Sequence, residues 1–352
     1  MRYGPPRRNM RKTAVALRQQ TIIWPLPLIV AVLLLAACSG GDTKETTSPS
    51  TSAAPAVSRL TAKAVTPLGD GEFIVFDRLV PGEEEDRELY AVGPDGGKPQ
   101  MLRTGQYPHW SPDGSKLTFN DCLNPPSCTT GVALIERSTG EVHGFTMPDP
   151  DLYTSCAIWA PTGKTVACEG GSEDDPRRNG VYTVRVSDGN GLTRITRNPG
   201  GIDAPVTYSP DGRQLLFARE PASGGESEQA LFVTPAGGEG KARRITPLGL
   251  TDDAASWSPD GRTIVFGTGG DLYRVSPDGT GLAKIKVKTP DGSPATHAFD
   301  VSFSPDGRRI AFSLGGAEPG IYLADPDGSN VKRLTTSPTE DHHANWGISP
   351  GS

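Results

Sequence analysis

Past Cys38 the sequence has no stretch with the 3.6-residue apolar spacing of a helix, which excludes helical bundles and folds that alternate strand with helix. It also lacks the short signatures of common metal and nucleophile sites. There is no His-Glu-x-x-His, no twelve-residue calcium loop, no paired Cys/His zinc spacing and no Gly-x-Ser-x-Gly elbow. Positive charge is scarce as well. Of 35 Lys and Arg, six fall in the first 37 residues, where no acidic residue occurs, and the remaining 29 face 41 Asp and Glu, a balance of about −12. Nucleic acid and broad adhesion to anionic lipid both need a surplus of Lys and Arg, so neither suits this chain.

Only one long apolar run is present, residues 21–37, and it is preceded by Arg7, Arg8, Arg11, Lys12 and Arg18 in the manner of a secretory signal. Pro25 and Pro27 interrupt it, so it is not read as a membrane span; Met10 offers an alternative start. The run ends in Leu35-Ala36-Ala37-Cys38 followed by Ser39-Gly40-Gly41, which resembles the bacterial lipobox. That resemblance implies a diacylglyceryl thioether on Cys38, and an exported chain held at the cell membrane through lipid alone, facing the periplasm or the extracellular side. Residues 1–38 are thus read as a lipoprotein signal peptide. Residues 39–66, rich in Thr, Ser and Ala with scattered Pro, carry too little apolar content for a core and read as a disordered tether. The folded domain is expected over 67–352.

Within it one unit recurs: "HWSPDGSKLTF" from 109, "IWAPTGKTVAC" from 158, "TYSPDGRQLLF" from 207, "SWSPDGRTIVF" from 256 and "SFSPDGRRIAF" from 302. Its aromatics, Trp110, Trp159, Tyr208, Trp257 and Phe303, lie 49, 49, 49 and 46 residues apart, and Trp346 follows after 43 more. A period of this length marks a propeller or a solenoid. Each period holds four short strands with β-branched and aromatic alternation, as in "AASWS", "TIVFG", "DLYRV" and "LAKIKV", which is the strand count of a propeller blade. In Ser-Pro-Asp-Gly, proline presets φ, aspartate bonds its own backbone and glycine takes the positive φ, so Asp113, Asp211, Asp260 and Asp306 are turn formers and not catalytic acids.

These residues resemble the TolB-type propeller repeat, in which an aromatic followed by Ser-Pro-Asp-Gly ends the innermost strand of a blade, and the resemblance runs from about residue 70 to 350. It implies an all-β, six-bladed β-propeller of four-stranded blades. TolB itself carries a further N-terminal domain, for which this chain leaves no room, so the likeness is to the propeller and not to a trans-envelope role. "EFIVF" at 72 is a second strand lacking an inner partner, and "HANWGIS" at 343 is an inner strand with nothing after it. The last blade is therefore expected to join N-terminal strands to a C-terminal one, removing the open edge.

With Cys38 set aside, four cysteines remain, and export permits disulfides. If Trp159 faces Thr165 across its turn, Cys156 and Cys168 stand directly cross-strand and form one candidate pair. Cys122 and Cys128 bracket "LNPPS" and form the other; four free thiols are the alternative.

The first-to-second and third-to-fourth strand turns are short and alike, whereas long, unlike loops collect on the other face, where function is usually carried. That face is expected to be acidic, with Glu83, Glu84, Glu85 and Asp86 on one rim and Glu173, Asp174 and Asp175 on another. Asp203, Asp252, Asp253, His297, Asp300, His342 and His343 are expected nearest the channel and form the candidate ligand or partner face. The reading that follows is a non-catalytic binding or scaffold module for a protein, peptide or glycan of the envelope, monomeric, with no cofactor, catalytic residue or resident metal. The alternative is a metal-dependent, lyase-like carbohydrate-active enzyme using His297, His342 and His343, since some propellers with related repeats are polysaccharide lyases that use channel histidines and a metal.

Overall fold

The computed structural model describes residues 60–83, 86–121, 131–145, 148–149, 151–224, 228–238, 240–251 and 254–351. The signal segment, Cys38, most of the tether, Glu84, Glu85, Cys122, Cys128, Asp252 and Asp253 lie outside them.

Six antiparallel sheets form six blades; in five of them four strands run in chain order outward from an inner strand, and the sixth takes its inner strand from the end of the domain. The inner strands are Gln106–Trp110 in blade 1, Tyr153–Trp159 in blade 2, Ile202–Tyr208 in blade 3, Ser256–Trp257 in blade 4, Ala298–Phe303 in blade 5 and Asp341–Gly347 in blade 6. Blade 6 is the closing one: Asp341–Gly347 pairs with Phe73–Leu79, which continues into Arg87–Val92 and Gln100–Thr104. The ring is sealed by both ends of the domain, as the unpartnered strands of the sequence require.

There is not one core but six, one at each junction between neighbouring blades. Successive residues of a strand point to opposite faces of its sheet. In Gln214–Glu220, Leu215 and Phe217 pack toward blade 2, while Leu216 and Ala218 pack toward blade 4. Both faces are buried, so second strands read as nearly continuous apolar runs such as "QLLFA". Each fully buried Leu or Phe contributes about 1.5–3 kcal/mol of transfer free energy, and every junction holds several.

The turns have the chemistry expected of them. In blade 3 the Ser209 hydroxyl donates to Asp211 Oδ1 at 2.6 Å, that oxygen accepts the Arg213 N–H at 3.0 Å, and Gly212 has φ of 69°. The same bonds recur at Ser111–Asp113, Ser258–Asp260 and Ser304–Asp306. The serine hydroxyls and backbone N–H groups hold the Asp211, Asp260 and Asp306 carboxyls below their ordinary value.

Two findings depart from the sequence reading. Residues 60–62, assigned to the tether, form a short strand that pairs with Val142–Phe145 and gives blade 1 a fifth strand. The segment after it stays docked: the Val65 N–H donates to Gly140 O at 2.8 Å, and a Cβ on Gly140 would lie 2.0 Å from Val65 O, so only glycine permits the approach. Beside it the buried Arg137 guanidinium donates to Gly69 O, Gly71 O, Gly114 O and Ile348 O, and sits over the Phe73 and Trp110 rings. One cation thereby ties blade 1 to both ends of the closing blade.

The second correction concerns the cysteines. Trp159 faces Val166 and not Thr165, so Cys168 stands opposite Ala157. Cys156 is the extra residue of a β-bulge between the pairs Ala157–Cys168 and Ser155–Glu169, and the two cysteines are not directly cross-strand. A bulge adds one residue to one strand, which turn-based register counting cannot foresee. Cys168 is buried between blades 1 and 2.

Candidate functional site

Bulges interrupt five of the six inner strands. In three adjacent blades the residue three before the aromatic takes the left-handed region without being glycine: Asp300 (φ 52°), His343 (φ 54°) and Tyr107 (φ 55°). Such a conformation costs on the order of 1–3 kcal/mol and persists where the surroundings over-determine it. Here carboxylates do so. The His343 N–H donates to Asp300 Oδ2 at 2.8 Å, and the Tyr107 N–H donates to Asp77 Oδ2 at 3.0 Å.

Asp77 is fully buried and is the hub of this arrangement. It accepts from Arg87 Nη1 at 2.9 Å and lies 2.7 Å from His343 Nδ1. Burial alone would raise its carboxyl, but the neighbouring His343, Arg87 and His342 outweigh burial and hold it at about 2. His342 sits between two carboxylates, with Nδ1 3.3 Å from Asp300 and Nε2 3.4 Å from Glu340. Burial acts to lower its pKa, yet those partners raise it to about 9. His109 behaves in the opposite way: burial, reinforced by the charge of His343, holds it down at about 3, so it is neutral at pH 7. Phe299, His342, His343 and Tyr107 follow one another in ring contact, with centroids 4.8, 5.7 and 4.1 Å apart.

Below this stack, on the side of the Ser-Pro-Asp-Gly turns, lies a cavity of about 250 Å³. Tyr107 and His343 border it at the loop end, and Pro112, Pro161 and Pro210 of the turns border it at the other. Between them all six residues preceding the repeat aromatic line the wall: His109, Ile158, Thr207, Ser256, Ser302 and Asn345. Three of these also join blades, since Ser256 Oγ, Ser302 Oγ and Asn345 Oδ1 accept the N–H of Phe303, Trp346 and Trp110 at 3.1, 3.2 and 2.9 Å.

Among the described residues of the candidate face expected from the sequence, only His343 lines this cavity. Asp300 and His342 belong to the network behind it. Asp203 is fully buried elsewhere, accepting from Thr196, Asn198 and Arg219, and Asp341 repeats that role with Thr335 and Arg78. His297 is exposed on the rim, so the three histidines proposed as metal ligands do not converge, and among the described residues no group of three His, Cys, Asp or Glu is arranged to hold a metal. The acidic rim is partly neutralised, because Asp175 pairs with Arg177 and caps the short 3-10 turn Pro176–Arg178, while Asp149 pairs with Arg178. Tyr107, His109, Asp77 and Arg87 escaped the sequence reading. A signal for His109 was present, since it directly precedes a repeat aromatic and that position recurs in every blade.

No curated protein matches the sequence. Among solved structures the chain is similar to TolB from Acinetobacter baumannii, with 19% identity and a TM-score of 0.61 over 79% of this chain and 67% of that one. It is also similar to a protein assigned as TolB from Agrobacterium tumefaciens (17% identity, TM-score 0.55, 80% and 99% covered) and to a chain of a nidogen/laminin complex (8%, 0.55, 79% and 99%). These likenesses show the fold. The family model of the TolB beta propeller domain matches residues 74–289, more than half of the sequence, and the chain belongs to that family.

Proposed function

We propose that this protein is an exported, lipid-anchored, non-catalytic binding module whose channel cavity, on the side of the Ser-Pro-Asp-Gly turns, receives a protein, peptide or glycan of the cell envelope. The observation that carries the reading is the cavity itself: in a ring whose six junctions are close-packed, about 250 Å³ stays open and is walled by residues that also fasten blade to blade. Such a wall is rigid, and rigidity lowers the cost of ordering a site on binding. Against catalysis stands the bonding of the nearby titratable groups, because Asp77, Asp300, Glu340 and His342 are engaged with one another or with Arg87 and backbone N–H groups. Anchoring through Cys38 and the cell-envelope setting rest on the lipobox and signal pattern.

The test uses the full-length, membrane-anchored chain as bait in envelope extract, beside a variant with the cavity filled by Thr207→Trp. The reading expects a partner or glycan retained by the native bait and lost from the filled one while the variant's melting temperature stays high. Equal retention by both would remove the cavity from the function.

A further inference from the structure

We infer that the ligand of this cavity is a small uncharged, hydroxyl-rich unit, a neutral saccharide ring; this rests on the cavity being the binding site and names what it takes. The first observation is one of charge. Of the described residues that line the cavity, none is Asp, Glu, Lys or Arg, although these make up 22% of the sequence. An anion entering would have to shed its hydration with no cationic side chain to replace it, in a domain whose net charge is already negative. His343 gives an anion no net positive charge, since it is paired with the Asp77 carboxylate.

The second observation concerns donors and acceptors. Ser256 accepts a backbone N–H through Oγ, which leaves its hydroxyl hydrogen to donate, and Asn345 accepts through Oδ1, which leaves its NH₂, whereas the Ser302 hydroxyl already donates to Phe303 O at 3.4 Å. The Ser256 hydroxyl and the Asn345 NH₂ on this wall favour a ligand that supplies oxygen acceptors. A cation supplies none. Neutral His109 lies at the same level and can both donate and accept, and the Thr207 hydroxyl, which donates to Tyr208 O at 3.3 Å, can accept, which suits hydroxyl groups that do both.

The third is size and surface. About 250 Å³ falls just below the ~300–1,000 Å³ of sites for drug-sized ligands, so the cavity takes one ring-sized unit and not a long segment. Trp110, Trp159, Tyr208 and the turn prolines give apolar contact for the C–H faces of such a ring.

The experiment follows the indole N–H signals of the native protein by nuclear magnetic resonance during titration with glucose, galactose and N-acetylglucosamine, and with glucuronic and galacturonic acids. The inference expects at least one neutral sugar to shift the Trp110 and Trp159 signals saturably. The matching uronic acid should bind at least tenfold more weakly, and Thr207→Val should weaken the neutral sugar at least fivefold without lowering the melting temperature. Uronic acids binding as well as neutral sugars, or no sugar shifting these signals, would overturn it. If an envelope protein or peptide captured by the bait shifts the same signals while sugars do not, the cavity remains the site and only the ligand class fails. If captured material leaves them unmoved, the cavity reading fails too.

Discussion

The two ends of the channel differ in a way that reverses a common intuition about where function sits. At the loop end, where loops are long and unlike, the chain concentrates His342, His343, Asp77, Asp300, Glu340 and Arg87. Those groups hold one another and fix two of the left-handed residues, His343 and Tyr107. At the turn end, where four of the six blades repeat the same Ser-Pro-Asp-Gly chemistry, the wall is free of charged side chains among the described residues and a cavity stays open. Chemically rich side chains here support the frame, and the plainer end keeps its donors available.

The largest perturbation of this contrast is to remove the end of the chain. Truncation after Asn330 deletes Lys332–Arg333 and the inner strand Asp341–Gly347, and with it His342, His343 and the seam of the ring. Far-ultraviolet circular dichroism and thermal melting should show loss of cooperative folding; a truncated domain that melts like the native one would refute closure by both termini. Next in size is Asp77→Ala. It strips a buried carboxylate from Arg87, His343 and the Tyr107 N–H, and should cost about 3 kcal/mol in denaturant unfolding. A cost below about 1 kcal/mol would mean that the network does not hold the loop end.

The pH dependence separates the groups of that network. Asp77 falls from 3.8 to about 2, so its contribution is complete above pH 3.8 and is lost as pH falls through 2. His109 falls from 6.5 to about 3: the unfolded chain takes up a proton that the folded one refuses, and stability declines as pH drops from 6.5 toward 3. His342 rises from 6.5 to about 9, so its contribution is complete below pH 6.5 and is lost as pH rises through 9. Native protein should therefore melt highest near pH 6.5. His342→Phe should flatten the alkaline arm, an effect on the order of 3 kcal/mol. An unchanged arm would assign it to other groups.

The fold was legible because the aromatic-Ser-Pro-Asp-Gly unit fixes strand, turn and period together, and unmatched strands at 72 and 343 disclosed the seam. The site was legible only in part. Residue type drew attention to Asp203 and His342, but nothing in the sequence tells a carboxylate committed to Thr196 and Arg219, or an imidazole held between Asp300 and Glu340, from one facing solvent. The bulges at Cys156, Asp300 and His343 moved register by a residue, which spacing does not reveal. Docking of residues 60–62 depends on Gly140 admitting the backbone of Val65, a contact between segments far apart in sequence. By contrast, the ring from His109 to Asn345 was readable once the repeats were aligned on their aromatics.

The smallest expected effect on stability is Thr207→Val, which should change unfolding free energy by less than about 1 kcal/mol, since its hydroxyl bonds only a neighbouring carbonyl at 3.3 Å. A loss above about 2 kcal/mol would recast the turn-end wall as structural.

Binding of whatever ligand the native bait retains, compared across Thr207→Trp at the turn end and His297→Ala at the loop-end rim, tests the central claim most directly. Thr207→Trp should abolish retention while His297→Ala should bind within twofold of native. Retention surviving Thr207→Trp and lost in His297→Ala would contradict it and return the site to the loop face.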